Sequence, residues 1–253
     1  MLHNMSLSAN GVPQARLYGR RRTHGLTLLQ LRCFQEYSPE AVQARIADVF
    51  EQKVFLGVYL EIGFGNGEHL LEQAMTHPRA AFIGAEPFEN GFVQAHQRAA
   101  CLPNLFLYKG DVRSLLPLLP SASLDGVYML FPDPWPKRRH QKRRLMDSSF
   151  LEALTVLLKS GGEMRFATDQ LEYAAEVIRL IEASPNWSWK AQEPRASYDS
   201  ASQLCNGTAK TLKVFSEHAF SLARPLSWPI TRYERKAWRC GRICCYLSAI
   251  YKT

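Results

Sequence analysis

The stretch VYLEIGFGNGEHLLEQAMTHPRAAFIGAEP, residues 58 to 87, sets the architecture. It opens with a short apolar run that breaks into glycines at Gly63, Gly65 and Gly67. A helical segment follows and stops at Pro78. A second apolar run ends on an acid, Glu86. Strand, glycine turn, helix and strand in that order make a βαβ unit, and such units build a parallel sheet. Glycines at the turn let a ligand approach the backbone closely, and the helix start offers free N–H groups.

Outward from this unit the alternation continues. Before it, PEAVQARIADVFEQ (residues 39–52) has helical apolar spacing at Val42, Ile46 and Val49. After it come a helix in NGFVQAHQRAACL, a strand in NLFLYKGD and a strand in SLDGVYMLFPDP. SSFLEALTVLLKSGG reads as a helix with a glycine stop, GEMRFATD as a strand and LEYAAEVIRLIEASP as a helix. The strands are nearly continuous in apolar residues, which fits a sheet covered by helices on both faces. The pattern weakens from 187 to 230: SWKAQEPRASYDSASQLCNGTAK reads as a loop or insertion. The tail ITRYERKAWRCGRICCYLSAIYKT starts as a loop and ends like a strand.

The length of 253 residues and a hydrophobic share of 46% are enough for one large core. The expected division is a basic, partly disordered arm over residues 1–35 and one domain over 36–253. No run of about 20 apolar residues exists to cross a membrane. The start lacks an apolar segment of a secretory signal; its arginines suit a transit peptide or, as read here, a flexible basic arm. Six cysteines without a CxxC pair or zinc spacing read as reduced thiols, which places the protein in the cytoplasm with no metal. The net charge of +8 is clustered: Arg16 and Arg20 to His24, Lys137 to Arg144, and Arg232, Arg235, Lys236, Arg239 and Arg242. Clustered cations fit a polyanion, above all nucleic acid.

Two cofactors suit the glycine turn. A dinucleotide enzyme asks for GxGxxG, whereas this chain has GxGxG with Glu61 directly before it. A carboxylate beside a pyrophosphate is repelled; beside the sulfonium and ammonium of S-adenosylmethionine it is attracted. Charge therefore favours S-adenosylmethionine over NAD. Glu86, about 25 residues further on, is placed to accept from a ribose diol. Asp111, ending the third strand, either faces the adenine or caps the segment after it.

A second stretch, FPDPWPKRRHQKRR (residues 131–144), carries the other half of the chemistry. Asp133 falls at the carboxyl end of the fourth strand, where open α/β sheets bind their ligands. Pro132, Pro134 and Pro136 stiffen the backbone. Trp135 can stack on a base, Asp133 can accept from base N–H groups, and the cations that follow can hold phosphates. The segment reads as a base pocket joined to a phosphate grip.

Taken together, EIGFGNGEHL, GAEPF, GDV, LFPDPWPKRRHQKRR, FATD and TRYERKA resemble the bacterial tRNA (guanine-N7-)-methyltransferases, in order from about residue 17 to 240. The PDPWPKRRH block and the late TRYE segment are specific; the glycine turn is not. The resemblance implies a Rossmann-like class I methyltransferase fold and methylation of the variable-loop guanine of tRNA, position 46. It implies no protein partner, and a monomer or homodimer. It assigns Glu61, Gly63, Gly65, Glu86, Asp111 and Asp133 to the cofactor, with Asp133 also catalytic. It assigns Lys137, Asp169, Thr231, Arg232, Tyr233 and Glu234 to the substrate. The stretch from about 197 to 224 and the cysteine-containing end depart from the family pattern. Competing readings are an amine-directed nucleic-acid methyltransferase, since PDPW loosely resembles [DN]PP[FYW], and an RNA-binding module with a vestigial cofactor pocket. An NAD oxidoreductase is more distant.

Overall fold

A computed structural model describes residues 25–190, 224–225 and 228–253. The 1–24 portion of the expected arm and most of the atypical 197–224 stretch lie outside them. The elements, in chain order, are α1 (Leu28–Glu36), α2 (Pro39–Gln52), β1 (Gly57–Ile62), α3 (Glu68–Thr76), β2 (Ala80–Ala85) and α4 (Glu89–Ala99). Then come β3 (Leu105–Tyr108), α5 (Val112–Leu115), β4 (Leu124–Leu130), α6 (Ser148–Leu157), β5 (Leu158–Thr168) and α7 (Leu171–Ala183). The chain closes with β6 (Trp187–Trp189), α8 (Arg232–Arg239) and β7 (Cys245–Tyr251).

The strands form one seven-stranded sheet in the order β3-β2-β1-β4-β5-β7-β6. The β1–β2, β1–β4, β2–β3 and β4–β5 pairings are parallel; β7 runs antiparallel to both neighbours. Strand order reverses between β1 and β4, which opens the ligand crevice beyond their carboxyl ends. Residue alternation sends Val58, Leu60 and Ile62 of β1 into one core, with Ile46 and Val49 of α2, Leu154 of α6 and Ile178 of α7. Tyr59 faces the other core, with Leu70 of α3, Phe92 of α4 and Ala237 of α8. Period two therefore places Glu61 on the α3 side of the sheet, under that helix.

A row of flat groups crosses this second face. Tyr59 stacks on Phe82 at 5.3 Å and on Tyr128 at 5.8 Å, and the Arg165 guanidinium covers Tyr128 at 5.1 Å. Gly126 opposite Tyr59 makes the row feasible, because a Cβ there would sit 2.9 Å from the ring.

Four sequence expectations change. The last eight residues of the expected arm fall in α1, which opens with a capping box in which Thr27 and Gln30 exchange hydrogen bonds. Phe34 of α1 stacks on Phe92 at 6.1 Å, and the Tyr37 hydroxyl accepts from the Lys109 amide at 2.8 Å. The glycine stop of α6 is absent: the helix ends at Leu157, and Leu158 already pairs with Leu124 in β5. Pairing resumes at Gly126 with Glu163, so Gly161, at φ +84°, serves a bulge inside a strand. Residues 187–189, at the start of the expected loop, form edge strand β6. The tail begins as a helix, α8, because Thr231 caps it by accepting from the Glu234 amide at 3.2 Å.

Candidate functional site

The glycine turn meets β2 at the switch point. Gly63, Gly65 and Gly67 all have positive φ, which a side chain would resist. Gly91 of α4 completes the turn. A Cβ on it would lie 2.6 Å from the Gly65 carbonyl oxygen, so the two backbones touch only because that position is bare. Glu86 ties the turn to the sheet: one carboxylate oxygen accepts from the Gly65 amide at 2.6 Å, the other from the Phe88 amide at 2.7 Å. Burial is the main force on this carboxyl and lifts its pKa from 4.5 to about 7. The two amides oppose the rise, the Asp133 carboxylate adds to it and Arg232 opposes it. Glu86, Asp133 and Arg232 thus share one electrostatic neighbourhood.

Glu61 is 3% exposed and bonds through Oε2 to Nδ1 of His69 at 2.6 Å. The two border a small cavity with Gly63, Phe64, Glu68 and Tyr233. It holds about 10 Å³, room for one water. The Tyr233 ring fills the space above the turn, 3.2 Å from where a Cβ of Gly65 would be. Asp111 takes the capping alternative: it accepts from the Arg113 amide at 2.9 Å and pairs with the Arg113 guanidinium.

The proline segment leaves β4 through two non-glycine residues at positive φ, Phe131 at 54° and Trp135 at 43°. Each such residue costs about 1–3 kcal/mol and persists only where the surroundings compel it. Here they do. The Phe131 amide donates to Ala167 at 2.7 Å, and Nε of Arg144 donates to the Pro134 carbonyl at 2.8 Å. Arg144 is itself 6% exposed, pairs with Glu176 and covers Tyr173 at 4.7 Å. The sequence reading of Arg144 as a phosphate grip is therefore corrected: it pins the loop. Arg143 stacks on Trp135 at 4.9 Å, and the His140 ring stands edge-on to the same indole at 6.0 Å. Lys137, Arg138, Arg139 and Lys142 are exposed, the last three on a 3₁₀ turn over Arg138–Arg143. Asp133 lies at the surface, yet enough protein surrounds its carboxyl to raise its pKa by desolvation.

The residues assigned to substrate divide. Thr231 and Glu234 are buried; Glu234 accepts from the Tyr246 hydroxyl and pairs with Arg224 at 3.4 Å. They hold α8 in place. The Arg232 amide donates to Glu68 at 2.7 Å, which docks α8 on the start of α3, and the Arg232 side chain covers the Tyr233 ring at 4.9 Å. Asp169 pairs with Arg242. Of the sequence-assigned set, the structure brings Glu61, Gly63, Thr231 and Tyr233 around one cavity, with Gly65 against Tyr233. Glu86, Asp133 and Arg232 gather beside it. Asp111, Lys137 and Asp169 stand outside that cavity. Three contributors escaped the sequence reading: Glu68, Gly91 and His69. For His69 a signal existed, since a histidine on the apolar side of α3 beside Leu70 has to face the sheet.

Sheet order, an antiparallel seventh strand, the glycine turn and the acid after β2 define a class I methyltransferase. An antibiotic-resistance methyltransferase, Kmr, has a similar fold, with a TM-score of 0.50 at 15% identity over 86% of this chain and 94% of that one. The family described as "Putative methyltransferase" matches residues 57–242. A tRNA (guanine-N(7)-)-methyltransferase of Zymomonas mobilis is 36% identical over 227 residues, covering 88% of each chain. One of Azorhizobium caulinodans is 39% identical over 196 residues, 76% of this chain and 74% of that one. The chain belongs to the tRNA (guanine-N7-)-methyltransferase family.

Proposed function

We propose that this enzyme methylates N7 of a guanine in the variable loop of tRNA, position 46, with S-adenosylmethionine as donor. The observation that carries the reading is a juxtaposition. Two buried carboxylates on a glycine turn and a surface carboxylate followed by exposed cations share one sheet edge. The donor set fits the cofactor: Glu61 for the ammonium, Glu86 for the ribose hydroxyls, and the bare Gly63 and Gly65 backbone for close approach. Binding displaces the Tyr233 ring, which is 37% exposed and is held on its outer side by Arg232. When bound, S-adenosylmethionine supplies an electrophilic methyl group on a positively charged sulfur.

Guanine N7 carries an in-plane lone pair and no proton, so the protein needs no general base. Its task is alignment, which supplies up to ~7–11 kcal/mol in favourable cases. Asp133 accepts from guanine N–H groups and orients the base. Trp135, the aromatic group next to Asp133 in this segment, stacks on it. Lys137, Arg138, Arg139 and Lys142 hold phosphates and fix register. Asp169, just after β5 at the same sheet edge, acts through its pair with Arg242, and Arg232 shares the electrostatic neighbourhood of Glu86 and Asp133. The enzyme works in the cytoplasm as a methyltransferase domain behind a basic arm, without a further protein subunit.

The test is incubation with labelled S-adenosylmethionine and total tRNA, then digestion and identification of the nucleoside. N7-methylguanosine in the variable loop is expected. Label found only on an exocyclic amine overturns the chemistry, and no transfer despite cofactor binding leaves an RNA-binding module.

A further inference from the structure

His69 is 1% exposed, yet no reading of the sequence gave it a task. It lies in the first turn of α3, and its ring stands edge-on to Tyr128 at 5.1 Å, 87° between planes. Wedged between helix and sheet, the ring has one useful direction. Its Nδ1 meets Oε2 of Glu61 at 2.6 Å. Its Nε2 is buried with no hydrogen-bond partner among the described residues. A proton on Nε2 would be a buried donor without an acceptor, so the proton belongs on Nδ1, where it is donated to Glu61. Oε1 of Glu61, on the border of the cavity, stays available.

We propose that His69 is a positioning residue for the methyl donor. It fixes one oxygen of Glu61 and presents the other, in a defined rotamer, to the ammonium of the donor's amino-acid end. Without it, a glutamate 3% exposed at the end of a strand would have no hydrogen-bond partner among the described residues. Supplying the hydrogen bond in advance removes the cost of ordering the carboxylate when the ligand arrives. The inference rests on the reading of Glu61 as the ammonium site.

The test uses the full chain and two nucleosides, with affinities by calorimetry. S-Adenosylhomocysteine carries the ammonium; 5′-methylthioadenosine shares the adenosine and sulfur but has no amino-acid end. In His69→Leu, affinity for S-adenosylhomocysteine is expected to fall about tenfold, while 5′-methylthioadenosine binds unchanged. His69→Asn keeps an N–H close to the Nδ1 position and is expected to restore most of the loss. Adding His69→Leu to Glu61→Gln should weaken binding little beyond Glu61→Gln alone, since both remove the same contact. Equal losses for the two nucleosides, or an Asn variant as weak as Leu, mean that His69 only fills space and overturn the proposal. A normal His69→Leu beside a weakened Glu61→Gln overturns the role of His69 alone. A normal Glu61→Gln removes the ammonium reading itself.

Discussion

The glycine turn and the proline segment occupy neighbouring places at one sheet edge but are built on opposite plans. In the first, the charged groups are inside: Glu61 and Glu86 are 3% and 6% exposed, and each already has hydrogen bonds from the protein. In the second, Arg144 is buried, and Asp133, Lys137, Arg138, Arg139 and Lys142 face solvent. On the function proposed above, the difference follows from what each would bind. A small cationic ligand is held by a few short contacts in a low dielectric, where each counts for much. A polyanion is held by many screened charges, each counting for little, provided the backbone that carries them is rigid.

Four substitutions probe that contrast. The largest effect is expected where the two plans meet, at Asp133. Asp133→Asn keeps size and one acceptor oxygen but no charge, and turnover at saturation should fall about 100-fold, or ~2.7 kcal/mol. Because burial raises this carboxyl, wild-type turnover should begin to decline on acidification above the usual carboxylate range. The variant should lack that limb and show no rise up to about pH 9; a hydroxide-driven rise would make Asp133 a base. Stopped-turnover assays across pH decide it.

Arg144→Leu comes next. It removes the ion pair with Glu176, the bond to Pro134 and the cover on Tyr173. Because Glu176 is 36% exposed and stays hydrated, the cost should sit at or below the low end for broken buried pairs, about 2–3 kcal/mol. For this chain length that lowers Tm by roughly 5–10 °C by calorimetry. A stable variant with weak tRNA binding would return Arg144 to the phosphate grip.

Glu86→Ala leaves the Gly65 and Phe88 amides, and the ligand's hydroxyls, without an acceptor, so cofactor affinity should drop about tenfold, or ~1.4 kcal/mol. With the wild-type carboxyl raised from 4.5 to about 7, the folded chain between those values keeps a proton that the unfolded chain has released. Its contribution to stability is thus full below about 4.5 and declines as pH rises through about 7. Hydroxyl donors favour the ionised form, so cofactor affinity should rise with pH up to about 7 and binding should release a proton. Calorimetry in buffers of different ionisation enthalpy measures that release; its absence separates Glu86 from the ribose.

The smallest effect is at Lys142, exposed on the 3₁₀ turn. Lys142→Glu should weaken tRNA binding by about 1 kcal/mol at moderate salt and flatten the plot of log affinity against log salt by about one phosphate contact. Tm and cofactor affinity should not move. A change in Tm would place Lys142 with Arg144 among the supports.

The elements most legible in sequence were those with a strong period. The βαβ unit, α2, α4 and α7 fall where apolar spacing puts them, because burial against a sheet demands that spacing. The misread elements depend on partners remote in the chain. β6 is three residues long and exists because β7 offers it an edge. α8 has no apolar stripe to announce it: its cap at Thr231, the buried Glu234 and Ala237, and the Arg232 amide on Glu68 hold it, and Glu68 lies far away in the chain.

Among site residues, Glu61, Glu86 and Asp133 could be named from their places at strand ends, since period and topology together send strand ends to the crevice. That Arg144 supports while Lys142 is exposed, and that His69 touches Glu61, were decided by the tertiary structure alone; of the two roles open to Asp111 in the sequence, the local bond to Arg113 is the one made. Sequence fixes the residue type and the local period, and with them which face of a strand or helix is apolar. A charged side chain that is long and flexible has no such period. Whether it is buried with a partner or left in water depends on a neighbour brought close from elsewhere in the chain, as Glu176 is to Arg144.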